Sequence, residues 1–457
     1  MTMHINIIRD KAFYIRVLGI MLPVALQQAI NMGVNMLDTM MLGQFGEVQL
    51  SASSLANQYY NIFTIICMGI IGGSSVLAAQ YWGAGNKDKV HETFSMALRL
   101  SLGAAVLFAL LTWFFPSNIM GIFTNEAEVI TQGIRYLKIT TFIFALHGTG
   151  LVYAQLMRSV GQPRLGLVVS IISFFVNLFF NWVFIFGKLG APRMEIAGAA
   201  LGTLIARLAE FLTTFIYILF IDKELGLRLR HLLHSPSSEF YAKYFRLGAP
   251  VLISDFMLGM GNTAVSIVLG HMGAAVVAAN AICQVVDRLC TVIIQGVSNA
   301  SGIITGQTIG SGNKHKAQEM GQTFYVLSVV FGLVASLLVF IFGPLSIRMY
   351  SLTPETVRLT RHLMYAYVFI IFFQAVSSVM TKGVLRGGGD TRFLMVADVL
   401  FLWAVSVPAG ALAGLVLHTP EWVAMICLKL DLIIKSVWCV SRLNSGKWIH
   451  IVEEKHA

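Results

Sequence analysis

Acidic side chains inside long apolar stretches are the residues of this sequence that point most directly to chemistry. Six acids lie within or beside such stretches: Asp38, Glu210, Asp255, Asp287, Asp398 and Asp431. A carboxylate at the centre of a membrane helix costs about 2.5–3.5 kcal/mol on insertion scales, so a position that keeps one is a candidate for an ion pathway. The six positions have different surroundings, and these decide which of them are candidates.

Asp38 has the surroundings that most favour a role in ion binding. It lies 15 residues after Pro23, which is about 22 Å along a helix and places it in the outer half of a bilayer. No Lys or Arg lies within one helical turn of it in the sequence. A carboxylate without a cationic partner could exchange a proton for Na⁺ or for an organic cation. The alternative is an acid whose side chain reaches the outer membrane surface.

Two amides and a hydroxyl on later apolar stretches could complete an oxygen site around Asp38. Asn177 and Asn181 are four residues apart and therefore share one face of a helix. Thr203 lies among small residues that allow two helices to approach closely. Carboxylate, amide and hydroxyl oxygens suit Na⁺ or a proton. These polar groups could equally serve only as hydrogen bonds that hold helices together.

Other charged residues in the apolar stretches are spaced for pairing along a helix. Arg207 and Glu210 are three residues apart, and among Lys429, Asp431 and Lys435 the last two are four apart. Side chains three or four residues apart lie close together on a helix surface. We therefore expect these residues to neutralise each other and to serve packing.

The composition requires that most of the outer surface faces lipid. Of the 457 residues, 56% are hydrophobic and 12% are charged, whereas soluble proteins have about 25% charged residues. The apolar runs are continuous, which predicts helices rather than a strand barrel. They predict an all-α polytopic membrane protein of about twelve spans, at 14–43, 52–82, 92–115, 130–159, 164–187, 195–222, 241–271, 276–310, 318–343, 355–386, 392–417 and 420–442.

The net charge of +10 is explained by membrane topology. Most Lys and Arg residues lie in the termini and in alternate loops, which is the positive-inside pattern. It predicts both termini in the cytoplasm and a location in the plasma (inner) membrane, and it argues against nucleic-acid binding.

The chain also contains an internal repeat. After a shift of 227 residues, 42–92 and 269–319 share 15 identities in 51 positions, and Pro23 falls on Pro250. Further along, a shift of 228 aligns Pro116 with Pro344. Six spans in each copy give both copies the same orientation, so we expect two six-helix bundles related by a pseudo-two-fold axis along the membrane normal.

The longest polar segment lies between the two copies. Residues 222–246 are basic and contain the sequence SPSS, which is typical of a linker. We therefore predict an amino-terminal lobe at 1–221, a cytoplasmic linker at 222–246 with a helix at the membrane surface, and a carboxy-terminal lobe with a short cytoplasmic tail at 247–457.

Enzyme and cofactor signatures are missing from the sequence. Two Gly-Asn-Lys segments, at 85–87 and 312–314, lack the P-loop pattern and are predicted to be turns that follow helix-ending glycines. No HExxH or nucleophile elbow occurs. The five cysteines lie in apolar segments, where reduced core residues are expected. We therefore expect no enzymatic activity, no cofactor and no bound metal other than a coupling ion.

The duplicated motifs resemble those of the multidrug and toxic compound extrusion (MATE) family. The resemblance rests on LGQFG and GAGNK, repeated as LGHMG and GSGNK, and on the loops RSVGQPR and LRGGGDTR. It covers nearly the whole chain and implies export of cationic or amphipathic compounds in exchange for H⁺ or Na⁺. It also implies that Asp38, Asn177, Asn181 and Thr203 match the family's cation-coupling positions, with Asn181 where some members carry a second Asp.

The acids that some family members carry in the second half are not reproduced. In the NorM-like branch, acids lie on helices 7 and 10. This sequence has Leu258 at the first position, and Gln374 and Ala375 at the second. Asp255 and Asp287 remain candidates for binding a cationic substrate, together with Gln284 and Gln374.

These observations predict a cation-coupled multidrug antiporter that acts by alternating access, as a monomer in the lipid bilayer. The substrates would be small cationic or amphipathic molecules. One alternative is a lipid-linked oligosaccharide flippase of the same superfamily, although such proteins usually have a strongly cationic cleft. A membrane enzyme acting on lipid and a passive channel are further alternatives.

Overall fold

The computed structural model describes residues 6–44, 46–228, 231, 235–348 and 353–452. Helices dominate this part of the chain, and no strand occurs in it. The helices of the first half are α1 (Lys11–Gly43), α2 (Glu47–Gly83), α3 (Lys87–Phe114), α4 (Pro116–Phe123), α5 (Ala127–Thr140), α6 (Ile143–Ser159), α7 (Arg164–Phe186) and α8 (Ile196–Ile216). A short π-helical segment, Tyr217–Ile221, follows α8.

The second half has the same helical character. Its helices are α9 (Ser238–His271), α10 (Ala274–Gly310), α11 (Lys314–Ile347), α12 (Pro354–Ser378), α13 (Thr391–Leu400), α14 (Glu421–Leu428) and α15 (Leu430–Asn444). A π-helical segment extends α12 to Leu385, and alternating π- and α-helical segments extend α13 to Val416.

The lengths of these helices confirm an all-α membrane protein. Among the described residues, ten helices are long and apolar enough to cross a bilayer. The pair α5 and α6, bent by 55°, forms an eleventh span if its two parts are counted together. The last predicted span, 420–442, is divided at Lys429 into α14 and α15, each shorter than the roughly 20 residues that a crossing requires.

Proline residues show where the two repeats agree and where they differ. Pro23 lies inside α1 and Pro250 lies inside α9, as their alignment predicts. Pro344 lies inside the continuous helix α11, whereas its counterpart Pro116 begins the separate helix α4. Proline removes a backbone donor and distorts a helix interior, and the two repeats accommodate this distortion differently at the second site.

The two Gly-Asn-Lys segments are turns that start a new helix. Gly85 and Gly312 adopt left-handed backbone conformations, with φ of 77° and 86°. The next residues are N-caps: Asn86 accepts a hydrogen bond from the Lys89 amide at 3.1 Å, and Asn313 accepts one from the Lys316 amide at 2.9 Å. These caps satisfy amides that a helix start leaves unpaired, so both segments have a structural role.

Contacts divide the chain into two compact units. The amino-terminal unit comprises Leu26–Ala78 and Asn86–Phe245, and the carboxy-terminal unit comprises Met1–Ala25, Ala79–Gly85 and Arg246–Ala457. Each unit has a hydrophobic core of its own.

The predicted lobes at 1–221 and 247–457 follow the sequence repeat, whereas the two units follow the contacts between residues. The bounds of the lobes remain a prediction. Within the predicted linker 222–246, α9 already begins at Ser238. The predicted surface helix falls partly on 229–230 and 232–234, which lie outside the described residues.

In the carboxy-terminal unit, the end of α2 lies directly against the end of α10. Gly83 faces the backbone of Gln307, and Gly310 faces the backbone of Gln80. A Cβ atom at either glycine would overlap the carbonyl group that it faces. Each of these pairs (Gly83 with Gly310, Gln80 with Gln307) is separated by 227 positions, so equivalent residues of the two repeats make the same contact with each other.

Candidate functional site

Asp38 lies in a small cluster of amides in the amino-terminal unit. Asn181 Nδ2 donates hydrogen bonds to Asp38 Oδ1 at 2.5 Å and to Asn177 Oδ1 at 3.0 Å. Asn177 and Asn181 are buried, with 4% and 0% of their surface exposed, and Asp38 is half-buried. Three of the four residues predicted for cation coupling are therefore in one hydrogen-bonded group.

The cluster follows from the local structure of α1, α7 and α8. The two asparagines are one helical turn apart on α7, so their side chains point the same way. Gly202 on α8 allows a close approach, because a Cβ there would overlap Asn181 Oδ1. Thr203, the next residue, is half-buried. Within the described part of the chain, its hydroxyl makes no hydrogen bond to the cluster.

One buried oxygen of the cluster, Asn181 Oδ1, has no hydrogen-bond partner in the described structure. A buried polar atom without a partner is costly, so a water molecule or a cation at this position would stabilise it. Carboxylate and amide oxygens, which Asp38 and Asn177 present here, are hard ligands of the kind that Na⁺ prefers. A proton needs only the carboxylate.

Arg207 acts on Asp38 across the structure, an interaction that the sequence did not indicate. Arg207 donates a hydrogen bond to Glu210 at 2.6 Å, which confirms the predicted pair. Arg207 also acts electrostatically on Asp38. Since no Lys or Arg forms a salt bridge with Asp38 in the described residues, its charge is balanced only at a distance.

Aromatic and imidazole side chains extend the polar interior of this unit. Tyr136 donates a hydrogen bond to Asn57 at 3.3 Å and interacts electrostatically with Asp38. Tyr60 and His147 are in ring contact with centroids 5.3 Å apart. The Tyr60 hydroxyl and both His147 nitrogens are buried without hydrogen-bond partners in the described structure. Sequence reasoning did not single out these four residues, because they bear no charge and do not recur at a motif spacing.

The carboxy-terminal unit contains a cavity of about 520 Å³ with a polar and charged lining. This volume lies within the range of about 300–1,000 Å³ that small-molecule sites occupy. The charged residues of the lining are Asp287, Arg288, Lys382, Asp398, Lys429, Asp431 and Lys435. Acids and bases are thus mixed, in contrast to the single carboxylate of the Asp38 cluster.

Three of the four predicted substrate-binding residues line this cavity: Asp287, Gln284 and Gln374. Gln374 on α12 donates a hydrogen bond to the Asp287 carboxylate on α10 at 3.3 Å. No Lys or Arg forms a salt bridge with Asp287 among the described residues. Its carboxylate is therefore available to a cationic ligand.

Asp255, the fourth predicted substrate-binding residue, is engaged elsewhere. Both of its oxygens accept hydrogen bonds from Arg386, at 2.9 Å and 3.4 Å. It does not belong to the lining of the cavity. Two residues 131 positions apart form this pair, which the sequence could not indicate.

A buried ion cluster forms one part of the cavity wall. Lys435 lies 2.9 Å from Asp431, as its helical spacing predicts, and 3.1 Å from Asp398. Ser254 donates a hydrogen bond to Asp398 at 2.5 Å, and Ser406 donates one to Asp431 at 3.2 Å. These bonds satisfy the two carboxylates, so the cluster serves mainly to hold α9, α13 and α15 together.

Lys429 lies at the break between α14 and α15. It ends one helix and precedes the other, with φ of −119° and ψ of 15°. Its ammonium reaches Asn262 Oδ1 only at 3.4 Å, which is longer than an ordinary hydrogen bond. The sequence spacing predicted a packing role for Lys429, and the structure also places this residue in the lining of the cavity.

Comparison with known proteins identifies similar chains of matching length. The family model MatE matches residues 23–183 and 250–412, once in each repeat. A probable multidrug resistance protein NorM of Thermotoga maritima is 27% identical over 436 residues, covering 93% of this chain and 91% of that protein. A multidrug resistance protein MdtK of Yersinia pseudotuberculosis is 23% identical over 404 residues, covering 87% of each chain.

A solved structure with the same fold supports the two-repeat architecture. It is the crystal structure of a mutant of the Vibrio cholerae MATE transporter VcmN, with a TM-score of 0.87 and 14% sequence identity. The similarity covers 96% of this chain and 98% of that one. At this level of identity, the similarity establishes the fold.

Proposed function

Because the chain belongs to the MatE family, we propose that it is a secondary active transporter that exports cationic or amphipathic compounds in exchange for H⁺ or Na⁺. The family consists of multi-pass membrane transporters, and the relatives are named multidrug resistance proteins. The membrane would be the inner membrane, with both termini in the cytoplasm, and the protein would act as a monomer.

The observation that carries the coupling role is the bonding of Asp38. Its carboxylate accepts a hydrogen bond from an amide, and no described Lys or Arg forms a salt bridge with it. Of the other five acids named in the sequence analysis, Asp287 lies in the cavity of the other unit, and the remaining four are paired with a cation: Glu210, Asp255, Asp398 and Asp431. Asp38 therefore remains able to bind and release an external cation.

The neighbouring groups support this exchange. When Asp38 is ionised, the hydrogen bond that the Asn181 amide donates stabilises its charge. Binding of H⁺ or Na⁺ neutralises the carboxylate, which changes what the buried amides can bond to. In alternating access, this change would favour one arrangement of the helices, and binding of the organic substrate would favour the other.

Transport by purified protein in proteoliposomes tests the proposal. Ethidium should move against its concentration gradient when a proton or a sodium gradient is imposed, and applying the two gradients separately identifies the coupling ion. The Asp38→Asn variant should lose this uphill transport down to the level of protein-free liposomes, because its amide carries no negative charge for a proton or Na⁺ to neutralise.

Asp88→Asn is the matched control. Asp88 is an exposed residue in the first turn of α3, and its variant should transport like the wild type. If Asp38→Asn transports ethidium as well as the wild type does, the coupling role is wrong. If the wild type moves ethidium only down its gradient, the protein is a passive channel.

The mixed lining of the cavity bears on the flippase alternative. A site for a lipid pyrophosphate would be expected to be strongly cationic. Three acids line the cavity beside its four basic residues, so the lining is mixed and lacks the strongly cationic character that such a site would need.

A further inference from the structure

The segment that follows α15, residues 447–452, is packed onto the carboxy-terminal unit, and we call it the strap. Trp448 in the strap is fully buried, with 0% of its surface exposed. Its indole Nε1 donates a hydrogen bond to Gln318 Oε1 on α11 at 2.8 Å. Tryptophan is rarely buried completely because it is so large, so Trp448 anchors the strap to the second half of the chain.

The strap lies on the glycine loop RGGGDTR, whose counterpart in the first repeat is RSVGQPR. Where the first repeat has Val160, the second has Gly388. A Cβ atom at Gly388 would overlap the ring and the backbone of Trp448. The carbonyl oxygen of Gly388 also accepts a hydrogen bond from the His450 amide at 2.8 Å. This difference between the two repeats therefore makes room for the strap.

The tip of the strap, residues 450–452, is bonded to the end of α2, which is a helix of the first repeat. Gln80 Nε2 on α2 donates a hydrogen bond to the His450 carbonyl oxygen at 3.1 Å. In return, the Val452 amide donates one to Gln80 Oε1 at 3.0 Å. Gln80 Nε2 also donates to the Gly387 carbonyl oxygen at 3.2 Å. One buried side chain of the first repeat thus holds both the strap and the loop beneath it.

The strap also covers the contact between the ends of α2 and α10. Gly306 of α10 faces the side chain of Ala79 on α2. Beside this contact, Val452 of the strap lines a small cavity together with Ala84 of α2 and Gly310 of α10. The strap therefore connects the two helix ends from outside the contact.

We propose that the strap is a latch: its tip releases Gln80 in each transport cycle, while Trp448 stays in place, so that the ends of α2 and α10 separate. The proposal rests on the alternating access proposed above and specifies one of its steps. In alternating access, one repeat moves against the other. Helix α2 belongs to the amino-terminal unit up to Ala78 and to the carboxy-terminal unit from Ala79 onward, so such a movement acts on its end.

The two parts of the strap suit these two roles. Hydrogen bonds to Gln80 contribute little net free energy, because water replaces them when the tip leaves. Removing Trp448 from its site would expose a large apolar surface to water, which is costly. The tip is therefore the part that detaches, and the anchor is the part that allows it to return.

Labelling of a thiol buried at the contact measures its opening. Ala79→Cys places this thiol between α2 and α10, since Ala79 is only 2% exposed. Its rate of reaction with a maleimide is measured on the full-length protein, and the labelling of the same protein without the added cysteine is subtracted. Ala375→Cys is the control, because Ala375 is equally buried at a contact with Gly332 that the strap does not cover.

Two variants remove the grip of the strap on α2: Gln80→Leu, and a chain that ends after Ile449 and so keeps the anchor. Each should raise the labelling rate of Ala79→Cys at least about tenfold, which corresponds to about 1.4 kcal/mol. The rate for Ala375→Cys should change less than about twofold. Gln44→Leu, the same substitution at an exposed residue after α1, should change neither rate. Unchanged labelling of Ala79→Cys, or equal acceleration at both cysteines, would overturn the latch.

A reversible cross-link tests whether release belongs to the transport cycle. Ala84→Cys and Val452→Cys, on opposite sides of the small cavity, are joined by a short cross-linker that a reducing agent cleaves. Uphill ethidium transport in proteoliposomes should fall at least about tenfold in the cross-linked protein and return after reduction. Each single-cysteine variant, treated in the same way, should transport normally. Undiminished transport by the cross-linked protein would contradict the proposal. If the protein moves no ethidium before cross-linking, the proposed function fails, and the labelling rates still decide whether the strap holds α2 and α10 together.

Discussion

The Asp38 cluster and the Asp287 cavity are built on equivalent parts of the two repeats, and they use different chemistry. The residue equivalent to Asp38 in the second repeat is Val265, 227 positions later, and it lies in the cavity lining. Conversely, Asp287 and Gln374 lie 227 residues after Tyr60 and His147. In the carboxy-terminal unit, this contact between helices is a hydrogen bond from Gln374 to the Asp287 carboxylate. In the amino-terminal unit, the equivalent contact is between the rings of Tyr60 and His147.

This comparison shows that the duplicated frame is shared while its polar residues have diverged. In the amino-terminal unit, a single carboxylate is held by amides and has no salt bridge among the described residues. In the carboxy-terminal unit, one lysine holds two carboxylates, and a further acid and three further basic residues line the cavity. The first arrangement suits exchange of a small cation, and the second combines structural ion pairs with room for a larger ligand.

The largest expected effect concerns the structural part of the second arrangement. Lys435→Met leaves Asp398 and Asp431 buried without their cation, and we expect a loss of about 3–5 kcal/mol in the free energy of unfolding. Asp38→Asn should leave stability nearly unchanged, because Asp38 has no salt bridge to lose. Thermal unfolding of the purified variants in detergent measures both.

A triple variant checks the reason for this effect. Adding Asp398→Asn and Asp431→Asn to Lys435→Met removes the unpaired charges and should recover part of the stability. Equal losses for Lys435→Met and Asp38→Asn would contradict the division into a structural and an exchanging site.

A smaller effect is expected from crowding the Asp38 cluster. Gly202→Ala places a methyl group on Asn181 Oδ1, and overpacking of this kind costs about 1–3 kcal/mol. Uphill ethidium transport should fall, because Asn181 can no longer keep its bond to Asp38. Gly103→Ala on α3, where a Cβ would meet no atom within 4 Å, should keep full transport. Normal transport by Gly202→Ala would show that the position of Asn181 does not matter.

The smallest effect compares two tyrosine hydroxyls. Tyr367 donates a hydrogen bond to Asn280 at 2.9 Å, so Tyr367→Phe should cost about 0.5–1.5 kcal/mol of stability. The buried Tyr60 hydroxyl has no partner in the described structure, so Tyr60→Phe should be neutral or slightly stabilising. Unfolding temperatures of the two variants decide this, and a larger loss for Tyr60→Phe would mean that its hydroxyl is bonded through water or to the neighbouring Arg207.

The sequence predicted those features that depend on local pattern. The apolar runs predicted the spans, and the i, i+4 spacing predicted that Asn177 and Asn181 share a face. Local spacing also predicted the pairs Arg207 with Glu210 and Asp431 with Lys435, which the structure confirms.

The sequence could not predict features that depend on contacts between residues far apart in the chain. Asp255 was predicted to bind substrate, but its partner Arg386 comes from a helix 131 positions away. The break at Lys429 divides the predicted span 420–442; the charges of Lys429 and Asp431 lie there in the sequence, but their spacing predicted only pairing. Thr203 was chosen for its hydroxyl, whereas its neighbour Gly202 is the residue that faces Asn181.

The division of the chain into units also has a consequence for the order of folding. Helix α1 belongs to the carboxy-terminal unit up to Ala25 and to the amino-terminal unit from Leu26 onward, and Arg246 follows Ala25 by 221 positions. The part of α1 up to Ala25 therefore packs fully only after the segment from Arg246 onward has been synthesised. Contacts of such high contact order form slowly. The helix that carries Asp38 should thus become fully anchored only near the end of synthesis, after the amides around Asp38 are already in the membrane.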